Sequence, residues 1–217
     1  MRRFNIDIGR VIMVPVFAFF VTTYLITFYN YIIDLYPINS TKILRITHLS
    51  LLLCFNVLII FLYLLRSRAQ LSSNSLVANT IAILGTFLPL FLAFLSRPES
   101  INPTAVLAGD FFIIAGMAFS VYSVTHLGKN FSIIPQARNL VQSGPYKFVR
   151  HPLYLGELIS SAGLVLAAVT FSMILYFVCL VICQVYRALQ EEKILTNVFP
   201  EYHNYRSKTA RFFPGIY

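Results

Sequence analysis

Two polar stretches in a largely apolar chain hold the residues that could do chemistry. The first runs from His126 to Glu157 and contains Gln136, the segment Arg138 to Val141 with Leu140, the turn-forming Ser143-Gly144-Pro145, Tyr146, and the run Arg150-His151-Pro152-Leu153-Tyr154. Pro152 suits the first turn of a helix, where its missing N–H is not needed. Such a helix start offers free backbone N–H groups and the positive end of a dipole beside Arg150, His151 and Tyr154, a receptor for a carboxylate or phosphate. The plainer alternative is an Arg-His pair that snorkels to lipid headgroups.

The second stretch runs from Gln184 to Pro214 and holds Arg187, Glu191, Glu192, Tyr202, Tyr205, Arg206 and Arg211. Arg187 and Glu191 stand four residues apart and face the same way on a helix. A solvated helix end with one internal ion pair would also explain them. Two adjacent acids near a bilayer carry a desolvation cost that nothing structural requires. Two further acids, Glu157 and Asp110, fall inside apolar runs, where an ionisable side chain marks a functional position by default. His48, His126, His151 and His203 lack zinc-ligand spacing, and Cys54, Cys179 and Cys183 form no CxxC pair, so no metal site is expected.

The elements that must position these residues follow from composition. Of 217 residues, 58% are apolar and 12% charged, half the charge of an ordinary soluble domain. That excludes disordered, coiled-coil and water-soluble globular classes and leaves a polytopic membrane protein. Apolar runs at about 11–31, 46–65, 76–95 and 104–124 are long enough to cross a hydrocarbon core. The region 153–186 reads as a helical hairpin, with a short arm from about Leu155 to Ala168 and a long one from Ser172 to about Phe199. Segment 67–75 reads as an ordinary loop. The expected fold is an all-α integral-membrane helical bundle, four spans plus a C-terminal helical hairpin. Its functional division is 1–125, the four spans, and 126–217, the polar core.

The formal charge of +9 fits this layout better than it fits a nucleic-acid partner. With the N-terminus inside, Arg2, Arg3, Arg10, Arg66, Arg68, Lys129, Arg138, Lys147, Arg150, Arg187, Lys193, Arg206, Lys208 and Arg211 are internal. Only Lys42, Arg45 and Arg97 are external. The positive-inside tendency then puts both termini in the cytoplasm, with membrane lipids as partners of the remaining basic surface. Tyr24, Tyr29, Tyr31 and Tyr36 read as interface anchors. The hairpin returns the chain to the face it left, which makes the two polar stretches neighbours.

Taken together, Gly144-Pro145-Tyr146, Arg150-His151-Pro152, Tyr154 and Gly156, followed by Glu191-Glu192, Leu195, Phe199, Tyr202 and Tyr205, resemble the isoprenylcysteine carboxyl methyltransferase family. They are similar more broadly to the membrane phospholipid N-methyltransferases. The resemblance covers roughly residues 126–217, and Pro200 departs from the glycine common after the Phe199 position.

It implies an integral-membrane enzyme that uses S-adenosylmethionine, with the cofactor on the cytoplasmic side and a lipophilic or lipidated substrate entering from the bilayer. It assigns cofactor contact to Gln136, the Arg138–Val141 segment, Tyr146, His151 through Tyr154, and Glu192, with Arg150 alongside. Arg187 is the nearest match to the substrate-orienting arginine, beside Ala188, the other candidate for the aligned position. The chemistry of the residues is compatible with both kinds of acceptor. Arg187 can hold a carboxylate nucleophile, for which no base is needed, or Glu191 or Glu192 can take a proton from an amine. Other readings are a phospholipid or small-thiol methyltransferase, an NADPH-dependent membrane reductase of related fold, and a transporter in which Asp110 and Glu157 line a path.

Overall fold

The computed structural model describes residues 8–33, 36, 38, 40–89 and 102–215. Residues 90–95 of the expected third span, together with Arg2, Arg3 and Arg97, lie outside them. The chain divides into two compact units, Met1–Arg66 and Ser67–Tyr217. This division follows packing, whereas the one drawn at 125/126 follows motifs.

In the first unit, helices α1 (Ile8–Ile33) and α2 (Ser40–Leu65) pack against each other. Met13 and Phe17 of α1 and Ile59, Leu62 and Tyr63 of α2 are its buried apolar side chains, and the Phe17 and Tyr63 rings stack at 6.5 Å. The Arg10 Nε–H donates to the Tyr63 carbonyl at 3.0 Å, so this cation is held at the end of the pair.

The second unit carries α3 (Leu76–Phe87), α4 (Pro103–Leu127), α5 (Pro152–Ala167), α6 (Phe171–Val198) and α7 (Tyr202–Lys208). Helix starts are written into the sequence. The Ala78 N–H donates to Ser75 Oγ, the Thr104 N–H to Asn102 Oδ1, and the Met173 N–H to Thr170 Oγ1, each satisfying a donor that the helix itself leaves open. Helix α5 has Pro152 at its first position, as its sequence predicts, and His151 before it supplies no side-chain cap.

Among the described residues, four helices, Gly9–Ile33, Lys42–Leu65, Pro103–Asn130 and Phe171–Val198, are long and apolar enough to cross a membrane. The chain is an integral-membrane helical bundle. The hairpin arms are unequal as expected. The 16 residues of α5 rise roughly 24 Å, short of a hydrocarbon core of about 30 Å. The 28 residues of α6 rise roughly 42 Å and reach beyond it.

Helix α5 is held against α4 by small residues. A Cβ on Gly116 would lie 2.6 Å from the Gly156 carbonyl oxygen and 2.9 Å from Ser160 Cα, and one on Gly109 would lie 2.6 Å from the Gly163 carbonyl oxygen. Both contacts are backbone on backbone, the small-residue arrangement that lets membrane helices approach closely. Gly85 plays a lesser version of this part for α3 on α6, where an added Cβ would lie 3.1 Å from Cys183 Cβ.

Segment 67–75, expected as a plain loop, contains the two-residue strand β1 (Leu71–Ser72). It pairs antiparallel with β2 (Gln136–Ala137), Leu71 opposite Ala137 and Ser72 opposite Gln136. Two-residue strands carry no alternation from which to read them, and this pair is made by tertiary contact.

Candidate active site

The polar stretches meet as the sequence requires. Gly144 has a positive φ of 57° and starts a tight turn through Lys147. A side chain at Gly144 would collide with the His126 ring, so the turn can lie against the end of α4 only with glycine there. The chain then runs through Val149, which bridges in parallel to Ala210. The Arg150 N–H donates to the Ala210 carbonyl at 2.8 Å and the His151 N–H to the Arg211 carbonyl at 3.2 Å. A strap from the C-terminal region thus fastens the approach to α5.

One groove opens beside that helix start, with about 810 Å3 of space counted out to its solvent-open mouth. Of the residues expected in the site, Gln136, Arg138, Leu140, Val141, Tyr146, Arg150, His151, Leu153, Tyr154, Arg187 and Glu191 all line it. Pro152 is fully buried at the root of α5. Glu192 stands behind the wall rather than on it. Its carboxylate accepts from Arg150 Nε at 3.0 Å and from Arg211 Nε and Nη2 at 2.9 and 3.0 Å, while His151 Nε2 lies 3.3 Å away. Arg206 Nε is at 4.0 Å. Its hydrogen bond to Glu192 raises the Arg211 guanidinium above its ordinary range.

The neighbouring acid faces the groove. Glu191 accepts a hydrogen bond from the Tyr154 hydroxyl, and its other oxygen lies 3.7 Å from His151 Nδ1. The His151 and Tyr154 rings are parallel within 1° at 5.5 Å, and Phe212 closes over His151 at 5.9 Å. Arg187 is buried with its guanidinium 4.5 Å above the Tyr154 ring. It donates to Gln184 Oε1 at 3.1 Å and to the Ile133 carbonyl at 3.4 Å. The internal Arg187–Glu191 ion pair of the plainer alternative is not among the contacts of the described residues. Both side chains turn across to α5 instead, where Tyr154 serves each of them.

On the opposite wall Gln136 accepts from Ser132 Oγ at 2.9 Å and from Arg138 Nη2 at 2.6 Å, and donates to Ser72 Oγ at 3.0 Å. The β1–β2 pair therefore sets the Gln136–Arg138 side of the groove. Tyr205 donates to the Tyr146 carbonyl at 2.7 Å. Burial, reinforced by the charge of Glu191, pushes the Tyr146 phenol well above its usual range, and burial with Glu192 nearby does the same for Tyr202. Both therefore stay neutral.

The buried polar atoms at the groove without a hydrogen-bond partner among the described residues include the Tyr202 hydroxyl and Arg187 Nε. Unsatisfied groups of this kind are costly in a buried wall and point to a ligand that meets them. With the uncapped N–H groups at the start of α5, the Glu191 carboxylate and the apolar side chains of Phe131, Leu140, Leu153 and Leu195, the donor set fits a ligand carrying a carboxylate, a cationic group and an apolar ring system. Tyr202, Tyr205, Asn130, Phe131 and Ser132 join the wall without having been singled out as contacts. The spacing of Tyr202 and Tyr205, one turn apart after Phe199, was the signal available for two of them.

Of the deeper acids, Glu157 accepts a hydrogen bond from Gln184 Nε2 across the hairpin. Asp110, half-buried in α4, makes no hydrogen bond or ion pair among the described residues. No group of three His, Cys, Asp or Glu among the described residues could hold a metal ion.

Residues 104–202 match the family model described as phospholipid methyltransferase. Among curated proteins, the chain is 40% identical over 80 residues to the cobalt-zinc-cadmium resistance protein CzcN of Cupriavidus metallidurans, a stretch covering 36% of each. It is 34% identical over 84 residues to the nickel-cobalt-cadmium resistance protein NccN of Alcaligenes xylosoxydans xylosoxydans, covering 37% of this chain and 38% of that one. The similarity thus spans little more than a third of either relative. The family match takes in α4, the groove and the hairpin, the part whose motifs carry the resemblance. Through residues 104–202 the chain is similar to the membrane methyltransferase group that includes the phospholipid and isoprenylcysteine carboxyl methyltransferases.

Proposed function

We propose that the groove binds S-adenosylmethionine and that the protein methylates a lipophilic acceptor entering from the bilayer, with the carboxylate of an isoprenylated cysteine as the leading acceptor. The observation that carries this reading is the meeting of Arg187, Glu191 and the α5 helix start in one groove. When bound, the sulfonium of the cofactor supplies an electrophilic methyl group. The α5 N–H groups and His151 hold its carboxylate, and Glu191 faces its ammonium or ribose hydroxyls. Glu192 serves the same site from behind, by holding Arg150 and His151 in place. Arg187 would hold the acceptor carboxylate beside the cofactor, and its contribution would be chiefly orientation. Buried walls that exclude water favour a step in which opposite charges are lost. Both termini are on the cytoplasmic side, by the distribution of basic residues.

A second acceptor class has its own support. The matched family is described by phospholipid substrates, and Glu191, held by Tyr154 and His151, is placed to take a proton from an amine or thiol. Titrating S-adenosylmethionine and NADPH separately into purified protein tests the cofactor: binding of the first and not the second is expected, and the reverse would overturn the reading. Radiolabelled methyl transfer to an S-prenylated N-acetylcysteine, phosphatidylethanolamine and small thiols then separates the acceptors. A base-labile product identifies the methyl ester; a base-stable one assigns an amine or thiol.

A further inference from the structure

Glu157 has no part in the site as described so far, yet it is joined to it by two hydrogen bonds in series. It lies one turn along α5 from Tyr154 and accepts from Gln184 Nε2. Gln184 is fully buried in α6, and its other end, Oε1, accepts from Arg187 Nη1 at 3.1 Å. An amide has a donor end and an acceptor end, a carboxylate only accepts, and a guanidinium only donates. Glu157 therefore dictates which way the Gln184 amide points. Without it the amide can rotate by half a turn and set its NH2 against the Arg187 guanidinium, donor against donor. Arg187 is otherwise held by the Tyr154 ring face and by one long bond to the Ile133 carbonyl, neither of which fixes its rotation in its own plane. Its Nε has no acceptor among the described residues, although the side chain lines the groove.

We propose that Glu157 is a positioning residue which, through Gln184, fixes the rotation of the Arg187 guanidinium within its plane so that it meets an anionic oxygen of the methyl acceptor. The inference rests on the reading of Arg187 as the acceptor-binding residue. It explains why a carboxylate is kept in the short arm of a membrane hairpin, where an unpaired charge is costly. The polar line from Glu157 through Gln184 to Arg187 is a directional relay of hydrogen bonds rather than a packing contact.

The test compares wild type with Glu157→Leu, Glu157→Gln and the exchange Glu157→Gln/Gln184→Glu, all as full-length protein in detergent micelles. In the exchange, the carboxylate introduced at position 184 accepts both from the amide introduced at position 157 and from Arg187, so the order of donors and acceptors is restored. With an S-prenylated N-acetylcysteine as acceptor, and phosphatidylethanolamine vesicles as the phosphate-bearing arm, KM for the acceptor is expected to rise about tenfold in Glu157→Leu and to recover in the exchange. Affinity for S-adenosylmethionine should stay unchanged throughout.

An activity-independent readout is the Nε–H NMR signal of Arg187, identified by its loss in Arg187→Lys. It is expected to shift or broaden in Glu157→Leu and to return in the exchange. An Arg187 signal in Glu157→Leu that coincides with wild type would overturn the proposal, as would an unchanged acceptor KM. Should Glu157→Leu not fold, Glu157→Gln keeps the test, because either amide orientation is then allowed and a doubled or shifted signal is expected. Failure of wild type to bind S-adenosylmethionine would instead strike the functional reading, and the NMR comparison would still decide the relay.

Discussion

Towards α4, helix α5 presents Gly156, Ser160 and Gly163; towards α6 it presents Tyr154, Glu157 and Ser161. The first face works by leaving side chains out, so that two backbones touch and the helix has one possible height. The second works by specific polar partners: Tyr154 to Glu191, Glu157 to Gln184, and Ser161 to the Tyr176 hydroxyl at 3.0 Å. In lipid there is no hydrophobic drive to bring helices together, so close fit must supply association and polar pairs supply selectivity. A helix too short to span the bilayer is thereby fixed on one side by shape and on the other by chemistry. The difference teaches that the fit of the short arm to α4 and its polar contacts with α6 rest on separable kinds of interaction.

Substitutions can break that separation or sharpen it. The largest effect is expected from Gly116→Leu. A Cβ alone already lies 2.6 Å from the Gly156 carbonyl oxygen, and a leucine cannot be housed without parting the helices. Loss of monodisperse protein on size-exclusion chromatography is the expected outcome, and a folded, cofactor-binding Gly116→Leu would refute the shape argument.

Next is Glu192→Leu, which strands the buried Arg150 and His151 together with Arg211. A cost of about 3–5 kcal/mol follows from removing one partner of a buried ionic cluster. Thermal unfolding in detergent checks it, and a melting temperature equal to wild type would show that the cluster does not stabilise the fold.

Arg211→Ala removes two of the hydrogen bonds to Glu192 from a side chain about a quarter exposed, and is expected to cost about 1 kcal/mol. It should weaken S-adenosylmethionine binding through His151 more than it lowers stability, measured by titration beside a thermal melt. Smallest is Ser161→Ala, which takes away one interhelical bond worth about 0.6 kcal/mol. Its cofactor affinity should match wild type. A loss there would mean that the polar face acts as one unit along its length.

Much of this arrangement was legible in the residues. The hairpin arms expected from about Leu155 to Ala168 and from Ser172 to Phe199 are Pro152–Ala167 and Phe171–Val198. Pro152 and the Gly144-Pro145 turn signalled their own local geometry, because proline and a left-handed glycine leave few alternatives. The family match over 104–202 agrees with the motifs.

What escaped were partners distant in sequence. Nothing in Ser72 announces Gln136, and nothing in Arg211 announces Glu192. The i,i+4 spacing of Arg187 and Glu191 identified their common face but not their partners, because Tyr154 lies between them and offers a ring to one and a hydroxyl to the other. Adjacent Glu191 and Glu192 look alike in sequence. Helical rotation sends one to the groove and the other to the arginines behind it.

The parallel bridge between Val149 and Ala210 has a consequence for synthesis. As the chain leaves the ribosome, Arg150 and His151 emerge well before the carbonyls of Ala210 and Arg211 that their N–H groups require. Until those residues arrive, the hairpin can insert and α5 can settle on α4, but His151 stays unfastened and Phe212 is not yet over it. The surroundings of His151 are therefore completed only once Ala210, Arg211 and Phe212 have been made, and a nascent or truncated chain ending before Thr209 lacks the strap that fastens the approach to α5.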